Sequence, residues 1–529
     1  MKRPSQWLVP KLTGSKLVRR MADAGFVAAA RVRTRQLDRM DVGKVQERQL
    51  LKLVRKATET AFGRIHGFDR IETIRDFQQR VPLRDYERFW TEYWQPAYPK
   101  LDDITWPGRI PYYALSSGTT SGATKYIPIS RMMIRSNKRA AFTTMALFRN
   151  HYKQHRLFTG KFFFLGGCTD LRRQFDGSLA GDLSGIASKE LVLAARPYAF
   201  PPLELSLIPD WTVKIQKLAE RAIREPITAI SGVPSWMLKL FDVVKQVSGK
   251  KTIAEIWPKL RVIVHGGTKF DSFRKTFETE IGDDSVKYCE VYPCSEGFIA
   301  TEDPRFGMMR VVPDHRIFFE FIPIEQFTDG KLNTDRPTRH TLATVEIGVV
   351  YALALSNCAG MWSYLVGDTV SFESKNPPLI RFTGRTKNFL SAFGEHLIEE
   401  EVEKAIAKAA AACGVLTADH HVGPVFPADP KRPGHHLYLI EFRGPPPRDV
   451  TAFRDVIDAE LRRLNEDYDA HRAGDLTMLA PEIVLMPAGG FEAWMKSRGK
   501  AGGQNKVPRM DNNGTMTAEL AAWAQTART

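Results

Sequence analysis

The order of apolar runs along this 529-residue chain predicts an α/β fold. A large N-terminal domain with mixed sheets and a β-barrel-like part is followed by a small α+β C-terminal domain. Three observations carry this. Short β-rich runs alternate with helical stretches from about Ile110 to residue 291, closely spaced strands crowd residues 316–383, and a helix–strand pattern resumes after Arg385. A chain of this length exceeds one compact core. The predicted divisions are a basic N-terminal extension over 1–40, a large domain over 41–385 and a small domain over 386–529.

Residues 2–39 hold ten Lys or Arg against two acids and lack the long apolar core of a secretory signal. A flexible basic extension is expected there, with weak contact to an anionic membrane surface or organelle import as its other uses. From 44 to 63, Leu50, Leu53, Val54, Ala57 and Ala61 share one face and Gly63 follows as a stop, the pattern of an amphipathic helix. YYAL, KFFFL, ITAI, RVIV and VKYCEV then read as strands feeding loops. The helical stretch 131–149 presents Met132, Met133, Phe142, Met145 and Phe148, which line an apolar pocket or belong to the core. Residues 347–367 carry no charge and are long enough to span a membrane, but Ser356, Asn357, Ala359 and Gly360 break the run, so two buried strands joined by a turn are predicted. After Arg385 come a helix over 398–411, the strand HHLYLIEF, a helix over 449–465 and the strand TMLAPEIVLM.

Composition excludes a disordered chain: 43% of residues are apolar, 10% aromatic and 26% charged. The net charge of +16 favours anionic partners without choosing among nucleotides, nucleic acid and membrane, and a merely solvated basic surface is the plainer explanation. No zinc-finger, helix-turn-helix or RNA-recognition pattern accompanies the charge, so no nucleic acid is expected as partner. The five cysteines, at 168, 289, 294, 358 and 413, are odd in number and scattered, which fits a reducing, cytoplasmic setting rather than a disulfide framework. They and the histidines show no metal-ligand spacing.

The strongest local signal is the run from Ser116 through Ser117, Gly118, Thr119 and Thr120 to Lys125, directly after YYAL. Glycine lets backbone approach phosphate oxygens, hydroxyls donate to them and the lysine supplies charge. The spacing is not that of a Walker A loop, and the same composition also describes a linker. Tyr292, Ser295 and Glu296, after VKYCEV, offer an aromatic face, a hydroxyl and a carboxylate suited to a purine and a phosphate-bound Mg²⁺, or else form a strand-end turn. Asp368, closing the strand YLVGD, is a bidentate acceptor for ribose hydroxyls or a turn cap. Arg385 and Lys506 are, taken singly, surface charges.

In order, the hydroxyl-rich loop, Tyr-x-x-Ser-Glu, Gly-Asp, Gly-Arg and a late Lys in a Gly-rich segment resemble the adenylate-forming enzymes that include acyl-CoA ligases. VQERQLLKLV, FGRIHGF, DFQQRVPLRDYERF, SSGTTSG, IFFEFIP, YLVGD and QNKVPR look more narrowly like the plant auxin-responsive acyl acid amido synthetases, the Gretchen Hagen family, and their bacterial relatives. Plant members flank the tyrosine of the Gly-Asp strand with arginines, where this chain has Ser363 and Leu365.

The resemblance implies a large adenylate-forming N-terminal domain and a small mobile C-terminal domain hinged near Thr386 and Lys387. It implies ATP and Mg²⁺ as cofactors, and transfer of an acyl group from a small carboxylic acid to an amine, an amino acid. By matching motif, Ser116 to Thr120 would hold phosphates and Tyr292 would contact adenine, with Lys125, Ser295 and Arg385 also in the nucleotide-binding set. Glu296 would hold Mg²⁺, Asp368 would serve the ribose and Lys506 the acyl phosphate, with Lys506 and Glu296 as the catalytic residues. An acyl-CoA ligase forming a thioester is the nearest alternative, and a basic nucleic-acid-binding protein the alternative from another class.

Overall fold

The computed structural model describes residues 16–116, 124–166, 171–208, 211–266, 270–328, 331–386, 389–395, 397–429, 432–498 and 507–526. It divides into two units, Met1–Ser116 with Tyr126–Thr386 and Ser117–Lys125 with Lys387–Thr529. Ser117, Gly118, Thr119, Thr120, Cys168, Lys387 and Lys506 lie outside the described residues.

The strands of the first unit are, in chain order, β1 (Tyr112–Ser116), β2 (Lys125–Ile129), β3 (Lys161–Phe164), β4 (Arg172–Arg173), β5 (Leu179–Gly181), β6 (Ala199–Phe200), β7 (Ile227–Gly232), β8 (Val262–His265) and β9 (Lys287–Cys294). They continue with β10 (Gly297–Asp303), β11 (Met308–Val311), β12 (Ile317–Pro323), β13 (Phe327–Thr328), β14 (Lys331–Leu332), β15 (Val350–Asn357), β16 (Tyr364–Lys375) and β17 (Pro378–Arg385). An 11-stranded mixed sheet has the order β12-β15-β16-β17-β11-β10-β9-β8-β7-β3-β6, and β2-β1-β5-β4 form a smaller one. β6, β3, β7, β8 and β9 run parallel. Their connections carry helices, as parallel pairing requires. One of these, Pro234–Ser248, opens with Pro at its first position and stops at Gly249, whose φ of 69° is the left-handed cap that glycine tolerates.

From β9 onward pairing is antiparallel, which is where the sequence shows crowded strand signals. This half curls back on itself. β9 and β16 are four strand spacings apart, roughly 19 Å in a flat sheet, yet the Tyr292 hydroxyl on β9 lies 2.6 Å from Asp368 Oδ2 on β16. The curl closes further round: Val312 N donates to Ile299 O at 3.2 Å, and a Cβ on Gly297 would stand 2.5 Å from Ile317 Cδ1. The barrel-like part is thus the bent half of one continuous sheet. The uncharged stretch 347–367 contains all of β15, a turn and the start of β16, and among the described residues no helix is long and apolar enough to cross a membrane.

Residues 16–38 correct the expectation of a flexible extension, because Lys16–Asp38 is a 23-residue helix. It packs on the helix Arg131–His151. Arg33 reaches Asp314 through two 2.7 Å bonds, Asp23 pairs with Arg149 at 3.2 Å, and Phe26 meets Phe142 edge-on at 5.5 Å. Such buried pairs fix an orientation that the local charge pattern does not reveal. In the Arg131–His151 helix, Met133 and Phe148 are fully buried core residues. The next helix, Val42–Ala57, is capped by Asp41 and buries Leu50, Leu53, Val54 and Ala57, as its periodicity requires. It ends at Ala57 rather than at Gly63. Thr60 caps a second short helix, Ala61–Ile65, in which Gly63 sits because a Cβ would fall 2.1 Å from Ala57 O.

These helices cover one sheet face through an aromatic core in which Phe62, Phe68, Phe89, Trp94 and Trp362 are buried. The VPLRD segment is stitched to the sheet by backbone bonds from Arg84 N to Ser363 O, 3.1 Å, and from Leu365 N to Arg84 O, 2.8 Å.

The second unit contains β18 (Phe389–Leu390), β19 (Leu397–Ile398), β20 (Thr417–Val425), β21 (His435–Phe442) and β22 (Glu482–Met486). β18 pairs with β19, and β20-β21-β22 form a mixed sheet. The helices Glu399–Cys413 and Val450–Leu464 follow the predicted bounds closely, and Val402, Ala405, Ile406, Phe453, Ile457 and Leu461 build the core. The sequence reading lacks β20, in which His420, His421 and Gly423 mask the strand pattern, and the helix Thr515–Thr526.

Candidate functional site

In open α/β sheets, ligands gather at the carboxyl ends of parallel strands where strand direction changes. Here that seam is β9, parallel to β8 on one side and antiparallel to β10 on the other. Ser295 and Glu296 form the tip of the β9–β10 hairpin, and the sheet's curl brings β15, β16 and β17 to it.

Asp368 and Arg385 face one another in register across β16 and β17. Arg385 Nε lies 2.7 Å from Asp368 Oδ1, while Tyr292 Oη donates to Oδ2 at 2.6 Å. Asp368 is 4% exposed. Oδ2 accepts the Tyr292 hydroxyl, while Oδ1 is ion-paired with Arg385 but accepts no hydrogen bond from the described residues, so both oxygens keep lone pairs for a further donor. Burial, then the neighbouring carboxylate of Asp368, push the Tyr292 hydroxyl well above its ordinary range, so it remains a donor. Burial works against the Arg385 cation, but Asp368 together with Tyr292, Glu296 and Cys294 outweighs it and holds the guanidinium above its usual value. The Tyr292 ring meets Phe382 edge-on, with centroids 5.8 Å apart.

Glu296 is fastened separately. Its Oε1 accepts the Tyr364 hydroxyl at 3.0 Å and its backbone carbonyl accepts Asn357 Nδ2 at 2.7 Å. Burial and the Glu296 carboxylate raise the Tyr364 hydroxyl well above its ordinary range. Cys294, beside the tip, accompanies them: its thiol donates to Gly297 O at 3.1 Å, and burial pushes it well up. Ser295 is half-buried at the tip.

The structure therefore brings Tyr292, Ser295, Glu296, Asp368 and Arg385 together. Ser116 ends β1 and Lys125 opens β2, both half-buried and both with interactions of their own. Tyr364 and Asn357 were not singled out as site residues, although an Asn and a Tyr inside an uncharged strand run are the available signal, since a buried polar side chain needs a partner. Beneath Tyr364, Ser363 adopts a left-handed φ of 47°. Its hydroxyl donates to Glu320 Oε2 at 2.8 Å and accepts Arg339 Nη2 at 2.5 Å. Glu320 and Arg339 are ion-paired at 2.8 Å with Glu320 fully buried, so this strand turn is held from below.

Among curated relatives, the chain is 26% identical over 315 residues to the indole-3-acetic acid-amido synthetase GH3.3 of Arabidopsis thaliana, an alignment covering 55% of this chain and 51% of that protein. It is 22% identical over 474 residues to the jasmonoyl-L-amino acid synthetase JAR4 of Nicotiana attenuata, covering 76% and 80%. The chain thus spans about half the length of the first of these relatives. Among solved structures, the GH3.15 acyl acid amido synthetase superposes with a TM-score of 0.57 at 18% identity, covering 93% and 94% of the two chains. A 2-hydroxyisobutyryl-CoA ligase in its thioesterification state does so with a TM-score of 0.55 at 14% identity, again covering 93% and 94%. Residues 33–184 match the GH3 family N-terminal domain, 310–385 the GH3 family central domain and 400–515 the GH3 family C-terminal domain. With well over half of its length matched in order, this chain belongs to the GH3 family.

Proposed function

We propose that this chain uses ATP to activate a small carboxylic acid as its acyl adenylate and then transfers the acyl group to the amine of an amino acid. The observation that carries the reading is the Tyr292–Asp368–Arg385 and Glu296–Tyr364 arrangement at the seam of the sheet, in a chain whose family relatives are named for amido synthesis.

A carboxylate resists attack at carbon because oxide would have to leave. In the first step its oxygen attacks the α-phosphorus of ATP, the new O–P bond forms, and pyrophosphate departs with the electron pair of the broken P–O bond. In the second step the amine nitrogen attacks the acyl carbon, AMP leaves, and the nitrogen loses a proton. Bringing an anion to a triphosphate is costly, so preorganised donors and cations carry most of the rate.

Within this reading Tyr292 and Ser295 contact the adenine. Asp368, fixed by Arg385, accepts ribose hydroxyls through its remaining lone pairs. Ser116, Ser117, Gly118, Thr119, Thr120 and Lys125 cradle phosphates. Lys506 meets the charge on the acyl phosphate, and the pivot between half-reactions falls at Thr386 and Lys387. Mg²⁺ usually takes one or two protein carboxylates together with phosphate and water oxygens. Glu296 fits that requirement, since Tyr364 engages only Oε1. When bound there, Mg²⁺ would screen the phosphate charge. A cytoplasmic setting belongs to the same reading and is supported by the free thiols of Cys289, Cys294, Cys358 and Cys413.

Formation of a CoA thioester shares the first step. It is kept as a second reading because the fold likeness to the CoA ligase, 0.55, nearly equals that to the amido synthetase, 0.57. The deciding experiment is acid-dependent exchange of labelled pyrophosphate into ATP over aromatic, fatty and amino acids without acceptor, followed by product analysis with amino acids and with CoA. Exchange followed by amide formation is expected. Exchange followed by a thioester alone selects the second reading, and no exchange with any acid despite ATP binding overturns both.

A further inference from the structure

We infer that the outer face of the helix Lys16–Asp38 is a docking surface for an anionic lipid bilayer. The inner face is already committed to the protein through Arg33–Asp314, Asp23–Arg149 and Phe26–Phe142. On the opposite side, Leu17, Met21, Ala24, Ala28 and Val32 follow one another at helical spacing and form a stripe. Leu17 is 67% exposed, Met21 66% and Val32 54%. Such large apolar side chains on one exposed helix face ask for a cover.

Charge identifies it. Arg20, Arg31 and Arg35 border the stripe and are exposed. The helix has two acids, and neither opposes them: Asp23 is bound inward to Arg149, and Asp38 is shared by Arg305 and Arg310 at 2.8 and 2.7 Å. From Leu17 to Arg35 the face extends about 27 Å along the helix axis, a surface that can lie flat on headgroups. An apolar stripe flanked by arginines gains both from burial at the acyl boundary and from anionic headgroups. A nucleic-acid backbone would use the arginines and leave the leucine and methionine in water. The apolar stripe precedes residue 33, where the match to the family's N-terminal domain begins, so of this surface only Arg35 falls within the family match.

The test is co-sedimentation of the full chain with phosphatidylcholine vesicles, with and without phosphatidylserine, beside a DNA duplex at the same salt. Binding to the phosphatidylserine vesicles alone is expected. Arg20→Gln, Arg31→Gln and Arg35→Gln should each weaken it about fivefold, and Leu17→Ser with Met21→Ser should remove most of the rest. Because these side chains face solvent, thermal unfolding of the variants should match the parent, and the arginine set keeps the test valid if the apolar pair alters folding. Equal binding to both vesicle types, full binding by either variant set, no vesicle binding, or duplex binding without vesicle binding would each overturn the proposal.

Discussion

Asp368 in the first unit and Glu395 in the second are both nearly inaccessible carboxylates, one tied to an arginine and the other to a histidine, at 4% and 0% exposure. What surrounds them differs. Asp368 accepts the Tyr292 hydroxyl and is ion-paired with Arg385, and the Arg385 side chain remains 34% exposed, so the cluster opens to solvent. Glu395 accepts His436 Nε2 at 2.8 Å, Ala392 N at 3.1 Å and Phe393 N at 2.7 Å, with Phe393 and Tyr468 each 5.9 Å from the His436 ring. Both histidine and glutamate side chains there are sealed. The lesson is that burial alone does not mark a functional carboxylate. Spare acceptor capacity beside an opening does, whereas an enclosed pair whose carboxylate is held by three donors fixes a core.

The comparison is broken most forcefully at Glu395. Glu395→Ala leaves His436 Nε2 and the Ala392 and Phe393 amides buried without their acceptor and should cost about 3–5 kcal/mol, read as lost hydrogen-exchange protection across β21. Burial raises the Glu395 pKa, but the adjacent His436 outweighs it and brings the carboxyl down to about 2. The folded value lies below the ordinary one. The stabilisation is therefore complete above the usual carboxylate range and is lost as pH falls from that range through about 2. β21 protection should decline over that window in the parent and lose this component in Glu395→Gln. Unchanged protection in both variants would show that the pair does not hold the core.

Lys506→Ala probes the chemistry without touching either carboxylate. If its contact contributes about 3 kcal/mol in the transition state, pyrophosphate exchange should slow about a hundredfold while β21 protection stays at the parental level. A rate within about threefold of the parent would remove Lys506 from its proposed role.

How much of this was legible in the sequence follows from distance along the chain. The strands β3, β7, β8, β9, β12, β16, β17 and β21 announce themselves by local runs of β-branched and aromatic residues, and the hairpin-tip residues follow β9 directly. Gly367–Asp368 and Gly384–Arg385 could be picked out singly, but their register, which sets Asp368 opposite Arg385, depends on irregularities in the β16–β17 pairing that no local pattern displays. Tyr364 and Glu296 meet across 68 residues only because the sheet bends. The packing of the helix Lys16–Asp38 is hidden for a similar reason: its basic composition is that of a solvated arm, while Asp314 and Arg149, which anchor it, lie far downstream.

The smallest effect belongs to Tyr292. Tyr292→Phe keeps the ring against Phe382 and removes only the hydroxyl, leaving Asp368 paired with Arg385. One hydrogen bond to a charged acceptor with an open side is worth about 1.5 kcal/mol, which water entering from that side partly restores. On the proposed ribose role of Asp368, the loss should appear as a KM for ATP raised several-fold, with the maximal exchange rate and the unfolding midpoint little changed. A fall in maximal rate at constant KM would place the Tyr292 hydroxyl in the transition state instead. A loss of stability comparable to Glu395→Ala would make the Asp368 cluster structural and remove the distinction between the two carboxylates.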